Sequence, residues 1–292
     1  MFDLAVIRID IDPVLHLGGL NIHWYGVSYA VAFYVALRFG VLPHMTAHGV
    51  SQGTVERMTL WTIVSGLVGA RLYYVVQSGI GYYVSHPQHI LAVWEGGMAF
   101  FGAIIAGELA ILVLAWRNRL SFWLLADAAA IFGVLGQPIG RIGNIINGDI
   151  LGSQSDLPWA TQYVNDNAVL QSCCDRFHAY QPAAAYEALA AILIGVVLFA
   201  LRRRGVRDGV LGLTYLALYA ISQVIVFRWR ISESAVALGL KQAQWTALGV
   251  LLVAVPLLTL AWRRGLLDWS DTAAAQRERP AIATTQEPEP AG

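Results

Sequence analysis

A dense group of polar residues interrupts an apolar segment at 140–152, which reads GRIGNIINGDILG. Arg141, Asn144 and Asn147 are spaced i, i+3 and i+6, so on a continuing helix they fan across one side. A guanidinium presents a planar fork of donors, and a carboxamide supplies both a donor and an acceptor. Together these groups suit the oxygens of a phosphodiester. Neighbouring glycines allow close approach of a ligand or another backbone; they are Gly140, Gly143 and Gly148.

The composition is that of a membrane protein, with 57% hydrophobic and 13% charged residues. Several apolar runs are close to the length of about 20 residues that a helix needs to cross a bilayer, and they lack the period-two alternation of membrane β-strands. We therefore predict an all-α integral membrane protein with about seven transmembrane helices. Their predicted positions are residues 19–42, 58–78, 97–116, 121–139, 183–201, 209–229 and 243–262. The fourth is expected to end in Gly136-Gln137-Pro138.

The positions of the basic residues predict the orientation, because arginine and lysine accumulate in cytoplasmic loops. An outside N-terminus places most of them inside, including Arg57, Arg117, Arg119, Arg202, Arg203, Arg204, Arg207, Arg263 and Arg264. On this N-out, C-in orientation, the 140–152 segment meets the outer lipid headgroups and begins an outside lobe of about 140–182. Charged residues before the first helix indicate that this helix is retained and not cleaved as a signal peptide. We expect a polytopic domain over 1–268 and a disordered cytoplasmic tail over 269–292.

Charged residues elsewhere at membrane depth indicate either a function or an internal ion pair. Arg71 lies deep in the second predicted helix beside Gly69, which lets another helix approach closely. Its candidate ion-pair partners are Glu95, Glu108 and Glu187. Glu95 either satisfies the N-terminus of the third helix or helps to organise a site. Glu187 follows a proline near the start of the fifth helix, and an ordinary helix-start signal explains it.

Other classes of site have little support in the sequence. Cys173 and Cys174 are adjacent, with no spacing typical of a disulfide framework or a metal site, so we assign them no role. We expect no metal and no cofactor. The formal net charge of zero gives no indication of nucleic-acid binding. A transporter is the second class considered, but the helices show no internal repeat and the polar residues stay near the outer side.

The 140–152 segment resembles the signature of the prolipoprotein diacylglyceryl transferase family, which is Gly-Arg-x-Gly-Asn followed by an asparagine, an acidic residue and a glycine. The matching positions are Gly140, Arg141, Gly143, Asn144, Asn147, Asp149 and Gly152. Four further segments are similar to motifs of the family and occur in the same order. They are NIHWYGVSYA at 21–30, GARLYYV at 69–75, WEGGMAF at 94–100 and PAAAYEAL at 182–189.

This resemblance implies a reaction that moves a diacylglyceryl group from phosphatidylglycerol to the lipobox cysteine thiol of a preprolipoprotein. It also implies a bacterial plasma membrane location, an active site toward the outer leaflet, and contacts with signal peptides and membrane lipids. The implied catalytic residues are Arg141 on the phosphate, Asn144 on headgroup or ester oxygens, and Tyr25 on the pocket wall. The implied substrate-binding residues are Arg141, Asn144, Asn147, Asp149, Gly152, Glu95, Tyr219 and Arg71.

The chain departs from the family at several chemically important positions. Phe101 stands where the family has a histidine, a proposed proton acceptor. After Tyr219, Gln223 and Phe227 stand where the family has an arginine and a glutamate. The histidine-proline-serine-glutamine run of the family is altered to QPAA at 181–184.

Two interpretations of these departures remain open. The chain is either an active, divergent transferase or a protein that binds phosphatidylglycerol or a related lipid without this transfer, or that uses another acceptor. In the first case, Arg228 or Arg230 replaces the missing arginine, and the base is Asp149, Glu95 or none. The first interpretation is favoured because the residues that a lipid phosphodiester needs remain together.

Overall fold

Apolar helices form most of the computed structural model, which describes residues 6–18, 20–92, 97, 99–170, 174–231 and 235–266. The helices are α1 (Trp24–Val35), α2 (Leu42–Ala47), α3 (Gln52–Gln77), α4 (Ile80–Ser85), α5 (Phe100–Arg117), α6 (Phe122–Asn147), α7 (Ala183–Arg203), α8 (Val210–Val226) and α9 (Gln242–Arg264). A π-helical turn over Ala36–Val41 joins α1 to α2 without a break, and a 3-10 turn covers Pro87–Ile90.

Within the described ranges, five helical segments are long and apolar enough to cross a membrane. They are Trp24–Ala47, Gln52–Gln77, Phe122–Asn147, Ala183–Arg203 and Gln242–Arg264. Helices α5 and α8 are shorter, with 18 and 17 residues. The predicted all-α membrane class is therefore confirmed. The number of seven spans and the N-out orientation stay predictions, and the predicted tail falls outside the described residues.

The described chain divides into two compact units, the first made of Met1–Leu60 with Trp123–Leu266 and the second containing Trp61–Phe122. In the first unit, α6, α7 and α8 share a buried core that includes Ile131, Leu198 and Leu211. In the second unit, α3 and α5 meet at two glycines: a Cβ added to Gly69 would lie 2.5 Å from the carbonyl oxygen of Gly102. The predicted close helix approach at Gly69 is thus confirmed.

A buried carboxylate holds the start of α8 in the first unit. Asp127 of α6 is only 2% exposed. Its oxygens accept hydrogen bonds from the backbone N–H groups of Gly209 at 2.9 Å and Gly212 at 2.7 Å. The first N–H groups of a helix have no partner within the helix, so Asp127 satisfies donors that would otherwise be buried without one.

Helix α6 is longer than the sequence predicts. We expected it to end in Gly136-Gln137-Pro138, but it continues through Pro138 to Asn147. A proline removes one hydrogen bond and strains the preceding turn, and here the close packing of α6 against α1 outweighs that cost. A Cβ added to Gly143 would lie 3.0 Å from Ser28 Cβ and 3.2 Å from Tyr25 Cα, so a larger residue would press on α1 and glycine favours this packing. The polar residues from 141 to 147 are therefore helical.

Short strands and loops form the lobe that follows α6. Strand β1 (Ile7–Ile9) pairs in parallel with β4 (Thr161–Tyr163). Two antiparallel hairpins, β2–β3 (Val14–Leu17 and Leu20–His23) and β5–β6 (Ala235–Ala237 and Leu240–Lys241), complete the strands of the described chain. Leu151, Tyr163 and Tyr180 form a small buried core in this lobe, with Cys174 at its edge; Cys173 lies outside the described residues. The lobe predicted over about 140–182 therefore also includes strand β1 from near the N-terminus.

Candidate functional site

The centre of the site is one buried carboxylate shared by two guanidinium groups. The side chain of Glu187, on α7, is 0% exposed. Its Oε2 forms an ion pair with Nη2 of Arg141 from α6, and its Oε1 accepts a hydrogen bond of 3.1 Å from Nη1 of Arg230. The Arg141 and Arg230 side chains are 17% and 20% exposed. Three segments that are distant in sequence therefore converge on one charged cluster.

A chain of amide hydrogen bonds extends from Arg141 toward the end of α6. Arg141 Nη1 donates to Asn144 Oδ1 at 3.1 Å, and Asn144 Nδ2 donates to Asp149 Oδ1 at 3.1 Å. Asn147 Nδ2 donates to the other carboxylate oxygen of Asp149, also at 3.1 Å. The helical i, i+3, i+6 spacing places these side chains together, as the sequence predicts. Asn144 is nearly fully buried, so its orientation is fixed.

The C-terminal end of α6 is fixed by the lobe. Gly148 adopts a φ of 78° and its N–H donates to the carbonyl of Asn144 at 2.9 Å, an ending that favours glycine. The Tyr163 hydroxyl donates to the carbonyl of Ile145 at 2.8 Å, and Val169 N–H donates to that of Asn147. Burial raises the pKa of Tyr163 to about 12, so this hydroxyl keeps its proton at neutral pH.

Gly152 lies where the lobe joins α7 to the end of α8. Its N–H donates to the carbonyl of Gln181, just before α7, at 2.8 Å. Gly152 also pairs with Arg230 in an isolated antiparallel β-bridge. The N–H of Ser153 donates to the carbonyl of Trp229 at 2.7 Å. These bonds align the segments that carry Glu187 and Arg230.

We expect Gly152→Ala to destabilise the protein and to reduce any activity of the site. An added Cβ would lie 2.9 Å from Gln181 Cβ, 3.0 Å from Gln181 O and 3.3 Å from Trp229 O, so the backbone has to shift, at a cost of about 1–3 kcal/mol. Thermal unfolding in detergent measures the effect. Gly249→Ala is the matched control, because a Cβ at that position of α9 meets nothing within 4 Å. Equal unfolding midpoints for the two variants would contradict the assigned role of Gly152.

Two tyrosines from other helices border the charged cluster. Tyr25 is 39% exposed, its hydroxyl donates to that of Tyr29 at 3.3 Å, and its backbone packs against Gly143. Tyr219 of α8 stacks on Tyr215 with ring centroids 5.5 Å apart. Both hydroxyls lie within electrostatic range of Arg141. Tyr25 and Tyr219 therefore lie near that guanidinium, each on a different helix.

The remaining candidates belong to the second unit or fall outside the described residues. Arg71 is buried and donates to the backbone carbonyls of Ile90 and Gly97, both at 2.9 Å, and to that of His89 at 2.5 Å. These contacts hold the loop before α5. Glu108 is exposed and forms no ion pair with any residue that the structure describes. Glu95 and the side chain of Phe101 lie outside the described part of the chain.

The structure corrects our interpretation of Glu187. We attributed it to an ordinary helix start, but α7 begins at Ala183, no acidic residue lies in its first turn, and Glu187 pairs with two arginines. Of the two candidate replacements for the missing family arginine, Arg230 makes this contact while Arg228 is exposed. The family's glutamate position is occupied by Phe227, whose buried ring lies 4.8 Å from the Arg230 guanidinium.

The charge and the available donors of this cluster suit an anionic ligand. The Arg141–Glu187–Arg230 trio has two guanidiniums around one carboxylate. Asp149 is the next carboxylate; it is separated from Arg141 by the Asn144 amide, and its oxygens accept hydrogen bonds from Asn144 and Asn147. Arg141 Nε is buried and has no hydrogen-bond partner among the residues described. A buried donor without a partner is costly, so a side-chain shift that lets an oxygen of a ligand reach this N–H would be favourable.

Comparisons with known proteins agree with the sequence signature. A family profile described as prolipoprotein diacylglyceryl transferase matches residues 13–260. A relative from Burkholderia multivorans, named phosphatidylglycerol–prolipoprotein diacylglyceryl transferase, is 32% identical over 288 residues, which cover 89% of this chain and 97% of the relative. Relatives of the same name from Burkholderia lata and Burkholderia mallei are also 32% identical; they match 89% of this chain and 97% and 98% of their own lengths.

Proposed function

The chain belongs to the prolipoprotein diacylglyceryl transferase family, and from this we propose that it transfers a diacylglyceryl group from phosphatidylglycerol to the cysteine thiol of a preprolipoprotein. The observation that carries the proposal is the Arg141–Glu187–Arg230 cluster, with two guanidiniums around one carboxylate and the unpartnered Nε of Arg141. The phosphodiester of phosphatidylglycerol carries one negative charge, which two guanidiniums sharing one carboxylate are suited to bind.

The reaction needs negative charge to be stabilised on the departing phosphate. The acceptor sulfur forms a bond to the glycerol carbon of the diacylglyceryl group, and the bond between that carbon and the phosphate oxygen breaks. The electron pair of the broken bond stays on the oxygen, and glycerol phosphate leaves. Fixed guanidinium donors stabilise such developing charge better than water does, because they need no reorganisation. We assign this role to Arg141 and Arg230.

Glu187 and Asn144 are positioning residues in this proposal. Each contacts the Arg141 guanidinium through a different nitrogen, Nη2 for Glu187 and Nη1 for Asn144, so the direction of its Nε is set. Asp149 in turn orients Asn144 and Asn147. Tyr25 and Tyr219 line the pocket and offer hydroxyls to headgroup or ester oxygens. Holding the reacting groups in one geometry is itself a large source of rate acceleration.

The missing histidine does not prevent the reaction from balancing. The thiol proton has to leave the sulfur, and a phosphate monoester accepts a proton with a second pKa of about 6. The departing glycerol phosphate therefore takes the proton, directly or through water, and the products are a thioether and a singly protonated phosphate monoester. Of the three options for the base, we propose the one in which no side chain serves as the base.

We propose that the protein resides in the bacterial plasma membrane with this site toward the outer leaflet. The cluster lies near the ends of α6 and α8 and beside the lobe, opposite the arginine-rich end of α7. Positively charged loops mark the cytoplasmic side. Phosphatidylglycerol would enter from the bilayer, and the signal peptide of the preprolipoprotein would approach along the lobe.

A complementation experiment tests the function. The chain is expressed in cells depleted of their own transferase, and lipoprotein modification is followed by mass spectrometry. We expect the intact chain to restore modification, and Arg141→Ala and Asn144→Ala to abolish or strongly reduce it at equal expression. No restoration by a well-expressed intact chain favours a lipid-binding protein without transfer. Restoration that persists in both variants refutes the site.

Arg230 gives a separate prediction about the replaced family arginine. Arg230→Gln removes one of two cations that face the phosphate, and a charge-assisted hydrogen bond of this kind contributes about 1.5–3 kcal/mol, so transfer should fall roughly 10- to 100-fold. Arg228→Gln is the matched control, because Arg228 is exposed and lies two residues away. If transfer falls in the Arg228 variant and not in the Arg230 variant, Arg228 is the residue that replaces the family arginine.

A further inference from the structure

A second concave surface lies between α6 and α7, away from the charged cluster. This groove has a volume of about 590 Å³. Its walls are formed by apolar residues, including Val134, Pro138, Ile192, Phe199 and Ala200. Among the residues that the structure describes, Arg203 is the charged one that lines it. An apolar groove with a single cation at one end has the chemistry of an acyl chain joined to an anionic headgroup.

The length of the groove matches one leaflet of a bilayer. Ile192 and Arg203 are eleven residues apart on α7, which corresponds to about 16 Å at 1.5 Å per residue. The hydrocarbon core of a bilayer is about 30 Å thick, so this distance is about half of it. The end at Arg203 adjoins a run of arginines at 202–204, which is typical of a membrane surface with anionic lipids.

The groove is distinct from the proposed transfer site. Arg203 follows Glu187 by sixteen residues on α7, or about 24 Å along the helix axis. One phosphate therefore cannot contact both Arg203 and the guanidiniums that pair with Glu187. Pro138, at the far end of the groove, lacks the N–H that would continue the hydrogen bonding of α6. An acyl chain in the groove would pack against this weakened turn, which precedes Arg141.

We propose that the groove between α6 and α7 binds an anionic phospholipid from the leaflet that meets Arg203, with its phosphate on Arg203 and one acyl chain reaching toward Pro138. The site does not depend on transfer, and its occupant is not the reacting lipid. The bound chain excludes other lipids from the groove and supports α6 below the catalytic arginine. The inference therefore adds a structural lipid to the two substrates of the proposed reaction.

Photolabelling in nanodiscs tests this site with a defined probe. The probe is phosphatidylserine that carries a diazirine in one acyl chain, added to phosphatidylcholine nanodiscs that contain the full-length protein. After irradiation, labelled peptides that cover residues 192–200 are quantified relative to labelled peptides from α9. We expect the wild-type groove to be labelled and Arg203→Gln to lower labelling about fivefold, the effect of about one interfacial cation. Arg204→Gln, which removes a neighbouring exposed charge outside the groove, should retain labelling.

A second pair of variants tests the apolar part of the groove. Ala200 is exposed and lines the groove, so Ala200→Phe fills it without disturbing the buried core and should abolish labelling. Leu193→Phe changes an exposed position outside the groove and should leave labelling unchanged. Equal labelling by a phosphatidylcholine probe, or labelling unaffected by Arg203→Gln or by Ala200→Phe, overturns the proposal. None of these readouts requires transferase activity, so they stand apart from the complementation result.

Discussion

Replacing Arg141 by alanine should lower the rate of diacylglyceryl transfer at least about 100-fold, the largest effect that we expect from any single residue. In the proposed mechanism the guanidinium contributes its Nε and its charge to the departing phosphate, and loss of one fixed donor of this kind costs about 3 kcal/mol of transition-state stabilisation. Asn144 also loses the donor that orients its Oδ1, which increases the effect. Transfer is measured with purified protein, phosphatidylglycerol vesicles and a lipobox peptide.

Arg141→Lys separates the geometry of the side chain from its charge. Lysine keeps the positive charge but lacks the planar fork that contacts Glu187 and Asn144 through separate nitrogens. We expect it to remain folded and to recover only a minor part of the lost rate. Wild-type activity in the lysine variant would show that a point charge is sufficient. It would contradict the proposed role of Arg141 Nε as a donor to the phosphate.

Glu187→Gln should produce the largest loss of stability. The carboxylate is fully buried between two guanidiniums, and removing one partner of a buried ion pair costs about 3–5 kcal/mol because the remaining charges are uncompensated. We expect a clearly lower unfolding midpoint in detergent. Phosphatidylglycerol should then raise this midpoint more than it raises that of the wild type, because its phosphate supplies the missing negative charge.

Glu108→Gln is the matched control for that experiment. Glu108 is a glutamate on another apolar helix, but it is exposed, and in the described ranges it makes no ion pair. Its substitution removes a charge without an ion-pair partner in the described ranges from an apolar helix, so it should not lower the midpoint. If Glu187→Gln and Glu108→Gln behave alike, the shared carboxylate is not the centre of the cluster.

The local part of the site could be predicted from the sequence because its spacing is helical. Arg141, Asn144 and Asn147 lie within two turns, so their convergence requires only that α6 continue. The sequence misjudged where α6 ends, because a glycine and a proline usually stop a helix. Packing at Gly143 against α1 outweighed that local preference.

The long-range part of the site could not be predicted in the same way. Glu187 was assigned to an ordinary helix start, since nothing near it in sequence shows that its partners are Arg141 and Arg230. Burial of this carboxylate depends on how α6, α7 and the end of α8 assemble. A signal did exist: a carboxylate in an apolar helix needs a cation, and Arg141 and Arg230 lie near the predicted outer ends of other helices.

The stoichiometry of the reaction catalysed by the purified chain tests the central claim most directly. Phosphatidylglycerol and a lipobox peptide are incubated with the protein, and thioether-linked peptide and glycerol phosphate are both quantified by mass spectrometry. We predict that the two products form in equal amounts and that Arg141→Ala suppresses both. Phosphatidylglycerol binding without either product, or a peptide product that forms equally in Arg141→Ala, would contradict the claim.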